Sequence, residues 1–169
     1  HGYGQFAPVA IRLQANSEGK VTSVSELSKY SLVHELGHAT EFLVLDHLGG
    51  RWPVVFNDLR VRCYNLRQSG TPCLSDYAYN NVEYSTAQGQ FVPTAGHTED
   101  DSDVDGFEFF AELFAAWYNE QYTGMDIASV FGNYGTKHNS EFEADTDKAM
   151  TDLFKVIAND YNLAAADME

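Results

Sequence analysis

The stretch SLVHELGHATEF, from Ser31 to Phe42, places two histidines four residues apart, with a glutamate directly after the first. On a helix, positions i and i+4 lie on one face about one turn apart, so the imidazoles of His34 and His38 would stand side by side. Glu35 would be rotated away from both. Polar groups in the middle of an otherwise apolar helix need a shared partner, because buried ionisable groups are costly without one.

Two imidazoles at this spacing can bind one Zn²⁺ at ~2.0–2.1 Å each. Zinc lowers the pKa of a bound water to about 7, and a nearby carboxylate can then take the proton of that water. The H-E-x-x-H pattern therefore predicts that His34 and His38 are metal ligands and that Glu35 is a general base.

A catalytic zinc needs a third protein ligand and leaves one position open. The extended pattern H-E-x-x-H-x-x-G-x-x-H is not met, because Glu41 and Val44 stand at its glycine and its last histidine. His47 would lie around the far side of the same helix, where we interpret it as a surface or packing residue. The third ligand must therefore come from another segment.

The segment GFEFFAELFAAWY carries Glu108 and Glu112 one helical turn apart among aromatic and aliphatic residues. Two carboxylates on a buried helical face should have a positive partner, and a zinc centre with two imidazoles is one. We assign Glu108 as the third ligand. Glu112 would support the site from behind by accepting the free ring N–H of a ligating histidine.

Hydrophobic periodicity predicts a single α+β domain over residues 1–169. A half-buried strand is expected from Val9 to Gln14. A helix that is apolar on nearly all sides, and is therefore expected in the core, should end at Gly49-Gly50. Further helices are expected from Phe107 to about Tyr122 and from about Ser140. The stretch 51–105 is predicted to be rich in loops.

The pair of motifs HELGHA and EFFAELFA resembles the gluzincin metallopeptidases related to anthrax lethal factor and the Pro-Pro endopeptidases. GYGQFAPVAIRLQ, near the start, resembles the segment that carries the edge strand in that family. The resemblance implies a zincin-like fold, in which a small sheet has its edge strand packed on the active-site helix and a second helix carries glutamates.

The resemblance also implies an activity and its residues. It implies a zinc-dependent endopeptidase with His34, His38 and Glu108 as ligands, Glu35 as base and Glu112 behind the ligands. We expect the substrate to be an extended peptide or protein segment that pairs with the predicted strand at residues 9–14.

One family feature is displaced. Members of the family carry a tyrosine seven residues before the glutamate ligand, where its hydroxyl steadies the developing oxyanion. Asp101 stands at that position here, but LSDYAYNN has the matching context around Tyr77. We interpret residues 84–106 as an insertion and Tyr77 as the oxyanion donor. Other candidates are Tyr79, Tyr84 and His97.

The acidic run DSDVDGFEFFAE matches the EF-hand pattern D-x-D-x-D-G-x₅-E. This reading conflicts with the zinc site, because it would use Glu112 as a calcium ligand and start the helix too late for Glu108. We favour Asp103 or Asp105 as the N-cap of the helix instead. A Ca²⁺ site formed by Asp101, Asp103 and Asp105 without Glu112 stays open.

The chain has 25 acidic and 10 basic residues, for a formal net charge of −15. Nucleic acid and anionic membranes both bind basic protein surfaces, so we expect neither as a partner. We also expect the protein to be a monomer. Cys63 and Cys73 are predicted to form a local disulfide, with two free thiols as the alternative; a disulfide would imply an oxidising compartment. Because the chain starts at His1, we interpret it as a secreted mature product or an excised domain of a toxin or effector.

Two other functions stay open. An intracellular regulatory zinc peptidase of the repressor-cleaving type would carry the same motifs with both cysteines reduced. A non-catalytic, calcium-stabilised binding module would contain no zinc, and its melting temperature would depend on calcium. Cleavage specificity and the natural substrate are not encoded in any of these patterns.

Overall fold

The computed structural model describes residues 26–125, 127, 135–137 and 139–160. Within this part the protein is α+β, as predicted, with four helices and a two-stranded antiparallel sheet. The helices are α1 (Glu26–His47), α2 (Val54–Gln68), α3 (Phe107–Tyr118) and α4 (Ser140–Asp160), and the strands are β1 (Val82–Ser85) and β2 (Gln90–Pro93). The strand predicted at residues 9–14 lies outside the described residues, so the substrate-binding edge stays a prediction.

Helix α1 ends where its sequence predicts. Gly49 and Gly50 follow it with φ angles of 67° and 80°, the left-handed region that glycine adopts without strain. The Gly50 amide donates to the Leu45 carbonyl at 2.6 Å, which satisfies one of the last carbonyls of the helix.

The expectation that α1 is buried on nearly all sides was wrong. Leu36, Phe42 and Leu43 are 41%, 58% and 48% exposed. The helix packs chiefly against α3, so a single stripe of residues is buried. This stripe consists of Tyr30, Val33, His34, Gly37, Glu41 and Val44. Apolar composition alone did not reveal that α1 has one partner face.

Helices α1 and α3 approach each other closely at Gly37. A Cβ atom at this position would lie 2.8 Å from the Ala111 Cα atom and 3.0 Å from the Ala111 carbonyl oxygen. Such distances are too short for ordinary packing against backbone, so only glycine allows the two helices to approach this closely. The contact lies beside His38 on one helix and one turn beyond Glu108 on the other.

We predict that Gly37→Ala destabilises the protein although alanine is the better helix former. Higher helix propensity would contribute about 1 kcal/mol to the free energy of unfolding. Forcing a methyl group into the contact should cost more, since overpacking costs roughly 1–3 kcal/mol and here the obstacle is backbone. Urea unfolding measures the difference.

The matched control is Ala39→Gly, two residues along the same helix. It removes a methyl group and should cost about 1 kcal/mol through helix propensity alone. A Gly37→Ala variant that is more stable than the wild type would contradict the tight contact.

The prediction that residues 51–105 are rich in loops was wrong for its first third. Helix α2 follows Pro53 at its N-cap position and buries Phe56, Leu59, Arg60 and Cys63, which share one face of the helix. Polar residues fill most other positions, and one of the four buried residues is an arginine, so the apolar periodicity is weak in the sequence.

The segment between Tyr77 and Glu108 forms a hairpin, after which the chain comes back close to the turn that carries Tyr77. Strands β1 and β2 form a hairpin in which Val82 pairs with Pro93 and Ser85 with Gln90. The chain then re-enters beside its starting point, because the Asp103 amide donates to the Asn80 carbonyl at 2.9 Å. A long connection can therefore separate Tyr77 from Glu108 in sequence without separating them in space.

Cys63 and Cys73 form a disulfide, with Cα atoms 5.5 Å apart. This confirms the predicted bridge over the alternative of two free thiols, and it ties α2 to the segment that leads to Tyr77. Helix α4 begins at Ser140 as predicted, and its first turn is capped by Asn139, whose side-chain oxygen accepts from the Phe142 amide at 2.9 Å. None of the helices in the described ranges has the length and apolar character needed to cross a membrane.

Candidate metal centre

Three predicted ligands come together between α1 and α3. The Nε2 atoms of His34 and His38 each lie 3.3 Å from the same carboxylate oxygen, Oε2 of Glu108. Ligand atoms of the three residues all lie within 4.8 Å of one another, and no other set of three or more histidine, cysteine or acidic residues in the described ranges does so. His47, at the end of α1, is not part of this group.

The spacing suits a tetrahedral cation. Two ligands that are each ~2.0–2.1 Å from zinc at a tetrahedral angle lie roughly 3.3–3.4 Å apart. The two imidazole-to-carboxylate distances of 3.3 Å match this edge length. The donor set of two imidazoles and one carboxylate is also one that zinc enzymes use, with a further position left for water.

The Glu108 oxygen that faces both rings is buried and has no hydrogen-bond partner of acceptable geometry. A buried carboxylate oxygen without a partner is expensive, because it has lost its water and gained no hydrogen bond. Both ring Nε2 atoms lie 3.3 Å from this oxygen, so one cation between them would satisfy all three atoms. The residues therefore fit a bound metal ion.

Electrostatic coupling within the group is strong. Burial alone would raise the pKa of Glu108, but the contacts with His34 and His38 outweigh burial and bring this pKa to about 2. Contacts with Glu108 and then with Glu41 raise the pKa of His38 from 6.5 to about 10, against the opposing effect of burial. The metal-free site at neutral pH therefore holds an ionised carboxylate and a protonated imidazole.

Zinc must displace the proton on His38, so we predict that zinc affinity rises with pH. With a His38 pKa of about 10 in the metal-free protein, affinity should increase about tenfold per pH unit between pH 6 and pH 8. Competition with a chelator of known pH-dependent affinity measures this slope. An affinity that does not change over this range would contradict a protonated His38 in the metal-free site.

Sequence reasoning missed Glu41. Its carboxylate lies 3.1 Å from the Nδ1 atom of His38, and the residue is only 2% exposed. Carboxylates in this position fix the tautomer of a metal-binding histidine, so that Nε2 is free to bind the metal. The available signal was the i+3 spacing from His38 together with the cost of burying an acid in an apolar helix.

The N-terminus of α3, which presents Glu108, is held by Asp103. Its carboxylate accepts from the amides of Glu108 at 3.1 Å and Phe109 at 3.4 Å. Asp103 thus performs the capping that was predicted for Asp103 or Asp105, although Gly106 precedes the first helical residue. The buried Arg60 guanidinium fixes this loop, since it donates to the carbonyls of Asp103 and Val104.

Glu112 lies one turn after Glu108 and is only 4% exposed. Its Oε2 atom accepts from the Ser75 hydroxyl at 2.8 Å and from the Ser75 amide at 3.1 Å. These bonds connect α3 to the turn that carries Tyr77. The predicted role of Glu112 toward a histidine ring stays a prediction.

Tyr77 lies in a short 3₁₀ helix, Asp76–Tyr79, at the edge of the metal-ligand group. Its ring centroid is 6.0 Å from that of His34. The negative charge of Glu108 raises the pKa of the Tyr77 phenol, with smaller contributions from burial and Glu35. The Tyr77 residue is half exposed.

The alternative oxyanion donors lie elsewhere. The Tyr79 hydroxyl is buried and donates to the Arg60 carbonyl at 2.9 Å. Tyr84 packs on Phe91 in the hairpin, with ring centroids 5.2 Å apart. The His97 ring is 3.3 Å from the Asp101 carboxylate on the surface. Of the four candidates, Tyr77 is the one whose ring lies beside the group formed by His34, His38 and Glu108.

Glu35 is exposed on α1, directly after His34. Its negative charge contributes to the raised pKa of the Tyr77 phenol. Glu35 and Tyr77 therefore lie close enough for the charge of one to act on the other, and Tyr77 also lies beside His34.

The three acids considered for calcium do not converge in the described structure. Asp101 accepts from the Thr98 amide at 2.6 Å, which closes a turn of its own. The carboxylate of Asp103 caps α3, and Asp105 is exposed. Helix α3 starts at Phe107, early enough to put Glu108 in its first turn, as the zinc interpretation requires.

Comparisons with protein-family models, curated proteins and solved structures give no significant match. The resemblance to gluzincin peptidases thus depends on the motifs in the sequence alone.

Proposed function

We propose that this chain is a zinc-dependent endopeptidase. The observation that carries the proposal is the position of Glu108 Oε2, which lies 3.3 Å from the Nε2 atoms of both His34 and His38. The proposed ligands belong to two separate helices, and chance alone would seldom bring a buried carboxylate oxygen without a hydrogen-bond partner to both imidazoles of an H-E-x-x-H motif.

His34, His38 and Glu108 would hold the zinc ion. When bound, the ion would supply Lewis acidity, which makes a water molecule more acidic and polarises a carbonyl group. Glu41 keeps the His38 ring in the orientation that directs Nε2 toward the ion.

The proton transfers fall to Glu35. Its exposed carboxylate takes a proton from the attacking water and later delivers it to the nitrogen of the departing amine. The Tyr77 hydroxyl donates a hydrogen bond to the carbonyl oxygen as that oxygen gains negative charge. Tyr77 lies beside His34, and Glu35 directly follows His34 in the chain, so both side chains are near the proposed zinc ligands.

We infer that the arrangement is zincin-like and that the substrate is an extended peptide or protein segment bound along the strand predicted at residues 9–14. The disulfide between Cys63 and Cys73 is compatible with a secreted protein. An intracellular peptidase of the repressor-cleaving type would keep these thiols reduced, so a thiol count under denaturing conditions distinguishes the two.

Metal analysis combined with digestion of a peptide library tests the proposal. We expect about one zinc ion per chain, cleavage of internal peptide bonds, loss of cleavage after chelation and recovery after zinc is added back. Calcium in place of zinc should not restore cleavage. A protein that binds zinc but cleaves no peptide or protein substrate would be a metal-stabilised binder, and the peptidase proposal would be wrong.

A further inference from the structure

The turn that carries Tyr77 is short and has unusual backbone at both ends. Leu74 precedes it with φ 53° and Asn81 follows it with φ 58°, values in the left-handed region that non-glycine residues seldom adopt. Such backbone persists only where neighbouring contacts fix it, and it occurs most often at functional sites. The contacts that fix this turn therefore bear on the position of the Tyr77 hydroxyl.

Ser75 makes three of these contacts. Its hydroxyl oxygen accepts from the Tyr77 amide at 3.0 Å and caps the 3₁₀ helix. The same hydroxyl donates to Glu112 Oε2 at 2.8 Å, and the Ser75 amide donates to that oxygen at 3.1 Å. Ser75 thus stands between the buried Glu112 carboxylate and the backbone of Tyr77.

Glu112 belongs to the helix that presents Glu108. Because the two residues are one turn apart on α3, the distance between their side chains is set by the helix itself. Any element fastened to Glu112 is therefore held at a fixed place relative to Glu108. Through Ser75, that element is the turn of Tyr77.

We propose that Ser75 is a positioning residue that sets the Tyr77 hydroxyl relative to the metal-ligand group. This inference rests on the proposed peptidase function, in which Tyr77 acts on the substrate. Ser75 acts only through Tyr77, by transmitting the position of Glu112 to the Tyr77 backbone.

Other contacts keep the segment folded when the Ser75 hydroxyl is removed. Arg67 on α2 donates to the Leu74 carbonyl at 2.7 Å and pairs with the Asp76 carboxylate. The disulfide fixes Cys73, and the Asp103 amide holds the Asn80 carbonyl. Ser75→Ala should therefore yield a folded protein in which only the orientation of the turn is loosened.

Steady-state kinetics on the zinc-loaded chain test the proposal. Tyr77→Phe should lower kcat by ~10²–10³-fold, as the loss of one oxyanion donor does. Ser75→Ala should lower kcat by ~10–10²-fold, because a catalytic group displaced by about 1 Å loses up to that much. KM and zinc affinity should be unchanged, and Ser75→Thr, which keeps the hydroxyl, should retain most of the activity.

A double-mutant cycle decides whether Ser75 acts through Tyr77. In the Tyr77→Phe background, Ser75→Ala should lower kcat by less than about twofold, because the group it positions is already gone. Ser69→Ala is the matched control, since Ser69 also caps a helix end, through a 2.7 Å bond to the Leu66 carbonyl. An equal effect of Ser75→Ala in both backgrounds, or a parallel loss of zinc affinity, would overturn the proposal.

A second readout does not depend on catalysis. In protein labelled with 3-fluorotyrosine, the ¹⁹F resonance of Tyr77 is assigned by its absence from the Tyr77→Phe variant. Ser75→Ala should shift or broaden this resonance, whereas Ser75→Thr and Ser69→Ala should not. An unmoved resonance would refute positioning by Ser75. If Ser75→Ala moved the resonance and the wild-type protein had no peptidase activity, positioning by Ser75 would stand and the proposed function would be rejected.

Discussion

Glu35→Gln is expected to lower kcat by ~10²–10⁴-fold, the contribution of a positioned general acid–base group. The amide has nearly the shape of the carboxylate but cannot accept the proton of the attacking water. Glu35 is exposed and is not one of the three converging ligands, so zinc content should stay at the wild-type level. Peptide cleavage and metal analysis on the same preparation measure both quantities.

Glu83→Gln is the matched control for this variant, because Glu83 is an exposed glutamate on β1. It removes one negative charge from the same acidic protein and should leave kcat unchanged. Undiminished cleavage by Glu35→Gln would remove Glu35 from its role. A loss of zinc from this variant would instead show that Glu35 helps to hold the metal.

Glu108→Gln is expected to weaken zinc binding by more than about 100-fold. Loss of a carboxylate that merely supports a histidine ligand costs 10–100-fold in metal affinity, and loss of a ligand should exceed that. Glu41→Gln should fall inside the 10–100-fold range, because Glu41 contacts the back of His38. The two variants should therefore rank in this order.

Competition with a chelator measures both affinities, and Glu99→Gln, at an exposed acid, is the control for loss of charge. Circular dichroism shows whether each variant is folded. If Glu108→Gln bound zinc as tightly as the wild type, the group formed by α1 and α3 would not be the metal site. A reversed order of the two variants would exchange the roles of Glu41 and Glu108.

Local patterns were enough to predict which three residues converge between α1 and α3. The spacing of His34 and His38 places them on one face of a helix whether or not that helix is buried. Glu108 lies in a segment so apolar that its carboxylate was expected to need a partner. The end of α1 was predictable because the left-handed Gly49 and Gly50 follow it. Helix α3 ends at Tyr118, earlier than predicted, and a π-helical segment, Asn119–Thr123, leads from it to the left-handed Gly124.

Features that depend on packing between distant segments could not be predicted. Helix α2 was missed because its buried face includes Arg60, which is buried only because the loop at Asp103 supplies carbonyl acceptors. Glu41 was seen as a break in a longer zinc motif, and its contact with His38 needs side-chain orientations that spacing does not provide.

The neighbours of Tyr77 were inferred only by resemblance. The sequence separation between Tyr77 and Glu108 does not indicate that they are near each other, because the chain between them forms a hairpin and then packs back beside Asn80. The exposed face of α1 was missed for the opposite reason, since many apolar residues suggested several partners.

The approach of α1 to α3 at Gly37 and Ala111 has a consequence for how the protein acquires its cation. Because the two backbones touch directly, the register between the histidines and Glu108 is imposed by steric fit and does not require an ion to pull the helices together. Folding and metallation are then separable events. We expect the metal-free chain to keep its fold, so that an ion could bind after folding is complete.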